Sequence, residues 1–173
     1  MLNFDIYADG GVIGVNPSAE GGTWAYLHLN PEGTEPTLRM SGVCVPELEG
    51  MPTISNNYTE LYAAVAALEA APDGWEGRLH TDSHVTRCRL VNVRPGMAGI
   101  PDELRDRLFA QRARFKLTPD RVVLLDGHPT RAQLESGVGK RGNPVSRWNV
   151  ACDEACNRAA RDYRASAAAP SPT

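Results

Sequence analysis

Asn56-Asn57-Tyr58-Thr59-Glu60-Leu61-Tyr62-Ala63-Ala64-Val65-Ala66-Ala67-Leu68-Glu69-Ala70 is the stretch where the periodicity of the chain changes. Leu61, Val65 and Leu68 recur at helical spacing among alanines, and Pro72-Asp73-Gly74 stops the predicted helix. Upstream, Phe4-Asp5-Ile6-Tyr7-Ala8 alternates as a strand should, and Asp9-Gly10-Gly11 is predicted to end it. Thr23-Trp24-Ala25-Tyr26-Leu27-His28-Leu29 and residues 38–45 complete an antiparallel meander of three strands. Downstream, Arg78-Leu79-His80-Thr81 reads as a short strand ending at Asp82-Ser83. Residues 84–90 and 101–116 read as helices, the second with Leu104, Leu108 and Phe115 on one face. Val122-Val123-Leu124-Leu125 has the continuous apolar character of a buried parallel strand. A glycine-rich basic loop and a closing helix over residues 149–164 follow. This order predicts an α/β domain over residues 1–164: a mixed five-stranded sheet, three antiparallel strands then two parallel, flanked by helices. Residues 165–173, almost all Ala, Ser and Pro, are expected to be a disordered tail.

Of the 173 residues, 42% are apolar and 23% charged, which suits a single core of ordinary size. No stretch approaches the roughly 18 apolar residues of a membrane span. Met1-Leu2-Asn3-Phe4-Asp5 lacks the basic start and apolar run of a secretory leader. Cys44, Cys88, Cys152 and Cys156 form no CxxC pair, so reduced thiols and a cytoplasmic location are expected; the chain is also expected to be a monomer. The net charge of −3 is unevenly spread. Residues 1–86 carry twelve acids against Arg39 and Arg78, whereas residues 87–121 carry nine bases against four acids. That division suits a cation site beside a polyanion-binding surface, or is an accident of surface composition.

Four acids carry the chemistry. If the strands ending at Asp9 and Asp82 are parallel neighbours, as right-handed crossovers favour, two carboxylates lie together where ligands gather in open α/β sheets. Glu60 and Asp153, each in the first turn of its predicted helix, can reach the same point. Each acid also has a purely structural alternative. Glu60 can complete a capping box with Asn57 as the N-cap, and Asp82 or Ser83 can cap the next helix. Asp153 can favour a helix macrodipole, and Asp9 can belong to a turn before two glycines. Their joint placement is what distinguishes them.

That placement resembles the type 1 ribonuclease H family over roughly residues 4–161. The matching motifs are Asp9-Gly10, then Asn16-Pro17 and Gly22-Thr23-Trp24-Ala25, then Asn56-Asn57-Tyr58-Thr59-Glu60-Leu61 leading to Ala67-Leu68-Glu69. Thr81-Asp82-Ser83, Gly127-His128 and Asn149-Val150-Ala151-Cys152-Asp153 complete the set. The chain departs from the family at three points. His128 and Asp153 are 25 residues apart, the helical basic protrusion of some members is replaced by residues 94–100, and His84 stands where the family usually has Gln.

The resemblance implies a ribonuclease H-like fold and an endonuclease that hydrolyses the RNA strand of RNA·DNA hybrids, leaving 5′-phosphate and 3′-hydroxyl ends. It implies two Mg²⁺ ions, with Mn²⁺ as a possible substitute. Asp9 would bridge both, Glu60 and Asp82 would complete one site, and Asp153 the other. Oxygen-only ligands favour such hard ions over zinc. His128 would shuttle a proton near the leaving group, or is a solvent-facing loop histidine. Gly10 and Gly11 backbone, Asn56 and Asn57 stand where a 2′-hydroxyl could be read, or Asn56-Asn57 merely forms a turn and cap. His84 stands where a groove contact is expected. Arg105, Arg107, Arg112, Arg114 and Lys116 are candidates to track phosphates, as are Lys140, Arg141 and Arg147, with solvated surfaces as the alternative. Residues 129–150, with Arg131, Lys140, Arg141 and Arg147 against Glu135, are expected to be mobile at Gly137, Gly139 and Gly142 and to clamp the substrate through Lys140 and Arg141. Cys152 and Cys156, at i, i+4, should face one side of the last helix in packing. Two rival functions remain: a superfamily nuclease acting on branched or duplex DNA, and a non-catalytic nucleic-acid-binding module. Asn56-Asn57 ahead of Glu60 counts against the first, and the complete set of four acids against the second.

Overall fold

The computed structural model describes residues 2–168. Strands β1 (Ile6–Val12), β2 (Gly22–Leu29) and β3 (Pro36–Cys44) lead into α1 (Asn56–Glu69), β4 (Leu79–Thr81), α2 (His84–Val91) and α3 (Asp102–Phe115). Strand β5 (Val122–Leu124), the short α4 (Arg131–Ser136) and α5 (Arg147–Ala168) follow. The sheet order is β3-β2-β1-β4-β5. β2 pairs antiparallel with β1 and β3, whereas β4 runs parallel to both β1 and β5. This is the mixed five-stranded sheet that the order of periodicities predicts.

Alternation along the strands divides the core between the two faces of the sheet. Ile6, Ala8 and Tyr26 pack with Leu61, Ala64, Val65 and Leu68 of α1, and Trp75, Leu104, Leu108 and Phe115 extend that cluster. Tyr7, Ala25, Leu27 and Leu29 face the other way, against Cys152 and Cys156 of α5. The small residues Ala63, Ala64 and Ala67 are fully buried and let α1 lie close to the sheet. Gly10 makes the approach possible: a Cβ there would collide with the backbone of Thr59 and Glu60. All four cysteines are free thiols; Cys44, Cys152 and Cys156 are buried and Cys88 is partly exposed. The Cys152 and Cys156 thiols reach the carbonyls of Tyr7 and Asp9 at 3.7 and 3.6 Å, which fits their expected packing role. Among the described residues no helix is long and apolar enough to cross a membrane.

Several local expectations are corrected. β1 does not stop at Asp9, because Gly10 and Gly11 stay paired with Trp24 and Thr23 of β2. Ser55, not Asn57, caps α1, its hydroxyl accepting from the Tyr58 N–H. Residues 129–150 are not a continuous loop. They hold α4, with Thr130 and Gln133 forming a capping box, and a bridge between Val138 and Pro144. Ala165–Ala168, expected in a disordered tail, continue α5, and residues 169–173 lie outside the described part.

Three of the basic residues of α3 are engaged within the protein. Arg107 grips the Glu69 carboxylate through Nε and Nη2 at 2.9 and 2.8 Å. Arg114 binds Asp73 at 2.6 Å and donates to the carbonyls of Leu68 and Ala71 at 3.4 and 2.9 Å. Arg112 donates to the carbonyls of Arg89 and Asn92 at 2.9 and 2.6 Å. These three guanidiniums tie α3 to α1 and α2. Arg105 pairs with Asp102 on its own helix, and Lys116 is the left-handed residue that ends it.

Candidate active site

Because β1, β4 and β5 are parallel, their carboxyl ends share one edge of the sheet. Extending the Tyr7–His80 register by two residues brings Asp9 level with Asp82. Asp9 is only 8% exposed, and its Oδ1 accepts the Gly10 N–H at 2.8 Å. The contact of Gly10 with Thr59 and Glu60 sets the second turn of α1 directly beside Asp9. Glu60 is therefore past the cap and outside the first turn, so the capping alternative does not hold. Its Oε1 accepts from the Asn56 side chain at 2.8 Å, while the Asn56 N–H is held by Asn16 at 3.0 Å.

Asp82 follows β4 at the N-terminal side of α2, where Ser83 is the cap. Its Oδ2 accepts from the Asn149 side chain at 3.2 Å, and a Cβ at Gly127 would strike the same carboxylate. Asp153 is in the second turn of α5, which starts at Arg147, and the macrodipole alternative for it lapses as well. The long insertion does not carry His128 away. Its Nδ1 lies 3.9 Å from Asp153 Oδ2, with the ring 83% exposed and the backbone at φ 49°. One cleft is lined by Glu60, Asp82, Asp126, His128, Lys140 and Arg141, and an adjoining one by Asp82, His128, Asn149 and Asp153.

The electrostatics follow from burial and crowding. Burial pushes the Asp9 carboxyl far above its ordinary range, and the nearby charges of Asp82, Asp153 and Glu60 push it further, against the Gly10 N–H. Glu60 is raised to about 7, first by burial and then by Asp82, while a Ser83 hydrogen bond and Arg89 act the other way. A cation among these acids would relieve that repulsion. The donor set is all oxygen, which fits a hard divalent ion by its chemistry. The described residues contain no group of three or more His, Cys, Asp and Glu side chains drawn in tightly enough to hold an ion.

The other expected residues divide. Asn57 is exposed at the start of α1 and His84 is exposed at the start of α2. Gly11 remains within β1 beside Thr23. Gly10 is packed under α1, so its lack of a side chain is spent on helix–sheet contact. Lys140 is exposed at the cleft, whereas Arg141 is engaged with Asp126, its Nε 2.9 Å from Oδ1. The sequence pattern alone does not mark Asp126, Asn149 or Asn56's hold on Glu60 as site features. Asn149 stands in the quoted Asn-to-Asp motif and Asp126 directly precedes Gly127-His128, so position was the available signal.

No protein-family model matches the chain, and no curated protein matches it. Solved structures do. The RNase H1 of the archaeon Halobacterium salinarum superposes with a TM-score of 0.62 at 18% identity, covering 92% of this chain and 98% of that one. The fold is that of ribonuclease H. The N-terminal RNase H domain of a Mycobacterium tuberculosis protein, solved as a maltose-binding protein fusion, gives 0.60 at 18% identity over 97% of this chain and 100% of that one. LC11-RNase H1, isolated from compost by a metagenomic approach, gives 0.60 at 18% over 94% and 98%. The ribonuclease H-like fold therefore spans the sheet and the helices that carry all four acids.

Proposed function

We propose that the chain is a metal-dependent endonuclease of ribonuclease H type that cuts the RNA strand of RNA·DNA hybrids. The observation that supports this most is the crowding of Asp9, Glu60, Asp82 and Asp153 at one sheet edge, where repulsion and burial raise Asp9 and Glu60. Asp9, Glu60 and Asp82 would hold one Mg²⁺ and Asp9 with Asp153 a second, Mn²⁺ being a substitute. Bound there, such ions would supply an activated water and neutralise the leaving oxygen, and the products would carry 5′-phosphate and 3′-hydroxyl ends. The chain's own residues do the positioning. Asn56 holds Glu60, Asn149 holds Asp82 and the Gly10 N–H fixes Asp9. His128, exposed beside Asp153, takes or returns a proton near the leaving group. Asn57 offers an exposed amide for a 2′-hydroxyl, exposed His84 would contact the groove of the hybrid, and Lys140 and Arg141 meet phosphates. The unit acts as a monomer in the cytoplasm.

The test is Asp9→Asn on a labelled hybrid in Mg²⁺. Cleavage should fall by at least about a hundredfold, and the thermal midpoint of the metal-free variant should not drop, since a repelled charge has been removed. Undiminished cleavage would remove Asp9 from the site. Wild-type protein run against hybrid, duplex DNA, duplex RNA and a four-way junction fixes the substrate, and preference for the junction would move the reading to DNA.

A further inference from the structure

We infer that Lys140 and Arg141 form a phosphate subsite of the acidic cleft and that buried Asp126 is the positioning residue that builds it, an inference that takes its substrate from the nuclease reading. Asp126 lies two residues beyond β5 and is 4% exposed. Three donors converge on its carboxylate. The Arg141 backbone N–H reaches Oδ2 at 2.5 Å, and Arg141 Nε and Asn143 Nδ2 reach Oδ1 at 2.9 and 2.8 Å. Its own N–H donates to the Pro144 carbonyl at 2.9 Å, and the Gly139 N–H to the Asn143 carbonyl at 2.8 Å. Gly139 lies against the acid so closely that a Cβ there would collide with it. Gly142 turns the chain at φ 85°. Residues 137–144 are thus a small hairpin wound around one carboxylate, so their glycines serve close approach and turning rather than looseness.

The pair is lopsided. The Asp126 side chain is 5% exposed and that of Arg141 60%. Had the guanidinium served only to neutralise a buried acid, it would be covered as well. Instead Asp126 grips Nε, and among the described residues neither terminal nitrogen of Arg141 has a hydrogen-bond partner. A planar guanidinium anchored at Nε presents its two remaining nitrogens as a fork, the geometry that suits two oxygens of one phosphate. Arg141 and Lys140 line the same cleft as Glu60, Asp82 and His128. A polyanion entering a cleft of carboxylates needs positive charge at its rim. Arg131, by contrast, pairs with Glu135 on α4 and is left out of that cleft.

The experiment uses the full chain and two readouts. In the first, inorganic phosphate is titrated while the Arg side-chain Nε–H resonances are followed by NMR. The Arg141 signal should shift in wild type, and Asp126→Asn should abolish that response. In the second, KM and kcat for a labelled hybrid are measured in Mg²⁺, and hybrid affinity across a salt series in Ca²⁺, for Asp126→Asn, Arg141→Ala and the double variant. Each single variant should raise KM about tenfold with a smaller change in kcat and reduce the salt slope by about one. The double variant should be no worse than Arg141→Ala, because Asp126 acts through Arg141. Arg141→Ala keeps the test decisive should the Asp126 variant lose thermal stability. An Arg141 signal indifferent to phosphate, or additive effects in the double variant, would overturn the subsite. A phosphate response dependent on Asp126 in a chain that does not cleave hybrid would uphold the subsite and overturn the nuclease reading instead.

Discussion

Helix α3 and the hairpin at residues 137–144 both belong to the basic half of the chain, and they use that charge in opposite ways. On α3, Arg107, Arg112 and Arg114 each turn back to partners on α1, α2 or the turns that follow them, and their hydrogen bonds end in the protein. On the hairpin, the Arg141 guanidinium is held at Nε alone and Lys140 stands exposed at the cleft. The lesson is that an excess of bases says little about ligand binding until the fate of each donor is known. A guanidinium consumed by carbonyls and carboxylates works as a staple, and one held at a single nitrogen still has something to offer.

That contrast can be broken first at Arg114. Arg114→Ala removes a contact to Asp73 and strands the Ala71 carbonyl, while that of Leu68 keeps the Ala71 N–H at 3.1 Å; the loss should cost about 2 kcal/mol and lower the thermal midpoint by roughly 4–8 °C. Hybrid affinity should not change. A loss of affinity without loss of stability would mean that α3 touches nucleic acid after all.

A second effect sharpens the other side, the acidity of the cleft that the hairpin borders. Glu60 is raised to about 7 from an ordinary 4.5, so in metal-free protein the unfolded chain ionises at lower pH than the folded one. Its contribution to stability therefore declines as pH rises through that window and stays lost above it. Glu60→Gln should melt with wild type near pH 4.5 and several degrees above it at pH 7.5. A difference that does not grow with pH would show that Glu60 is not opposed by its neighbours.

The smallest effect is expected at Arg105. Its pair with Asp102 is exposed and lies on one helix, so Arg105→Ala should change stability by less than about 0.5 kcal/mol and leave hybrid affinity alone. A larger change in the midpoint would make Arg105 part of the staple.

The sheet was legible because each strand and helix announces its period within a few residues, and Asp82 was legible because Thr81-Asp82-Ser83 follows directly on a short strand. Asp9 was read as terminal because Asp9-Gly10-Gly11 looks locally like a turn. Only the pairing of Gly10 and Gly11 with Trp24 and Thr23 keeps the strand going. Helix α4 is hidden although Thr130-Arg131-Ala132-Gln133 spells its capping box, since the neighbouring glycines dominate the local pattern. The α3 staples could not be read at all. Arg107 and Arg114 find partners about forty residues away, a distance at which local pattern is silent. Asp126 is a nearer case of the same kind, its donors arriving from fifteen and seventeen residues on.

The thiols described with the core give the molecule a practical property. Cys44, Cys152 and Cys156 are buried, and burial pushes the first up to about 12 and the other two upward with help from Asp9. The thiolate is the species that alkylating reagents attack. In the folded chain this leaves Cys88 as the single ready attachment point, on α2 one helical turn from His84. A fluorophore placed there without any mutation would ride on the element that follows Asp82, close enough to report the arrival of a nucleic acid strand.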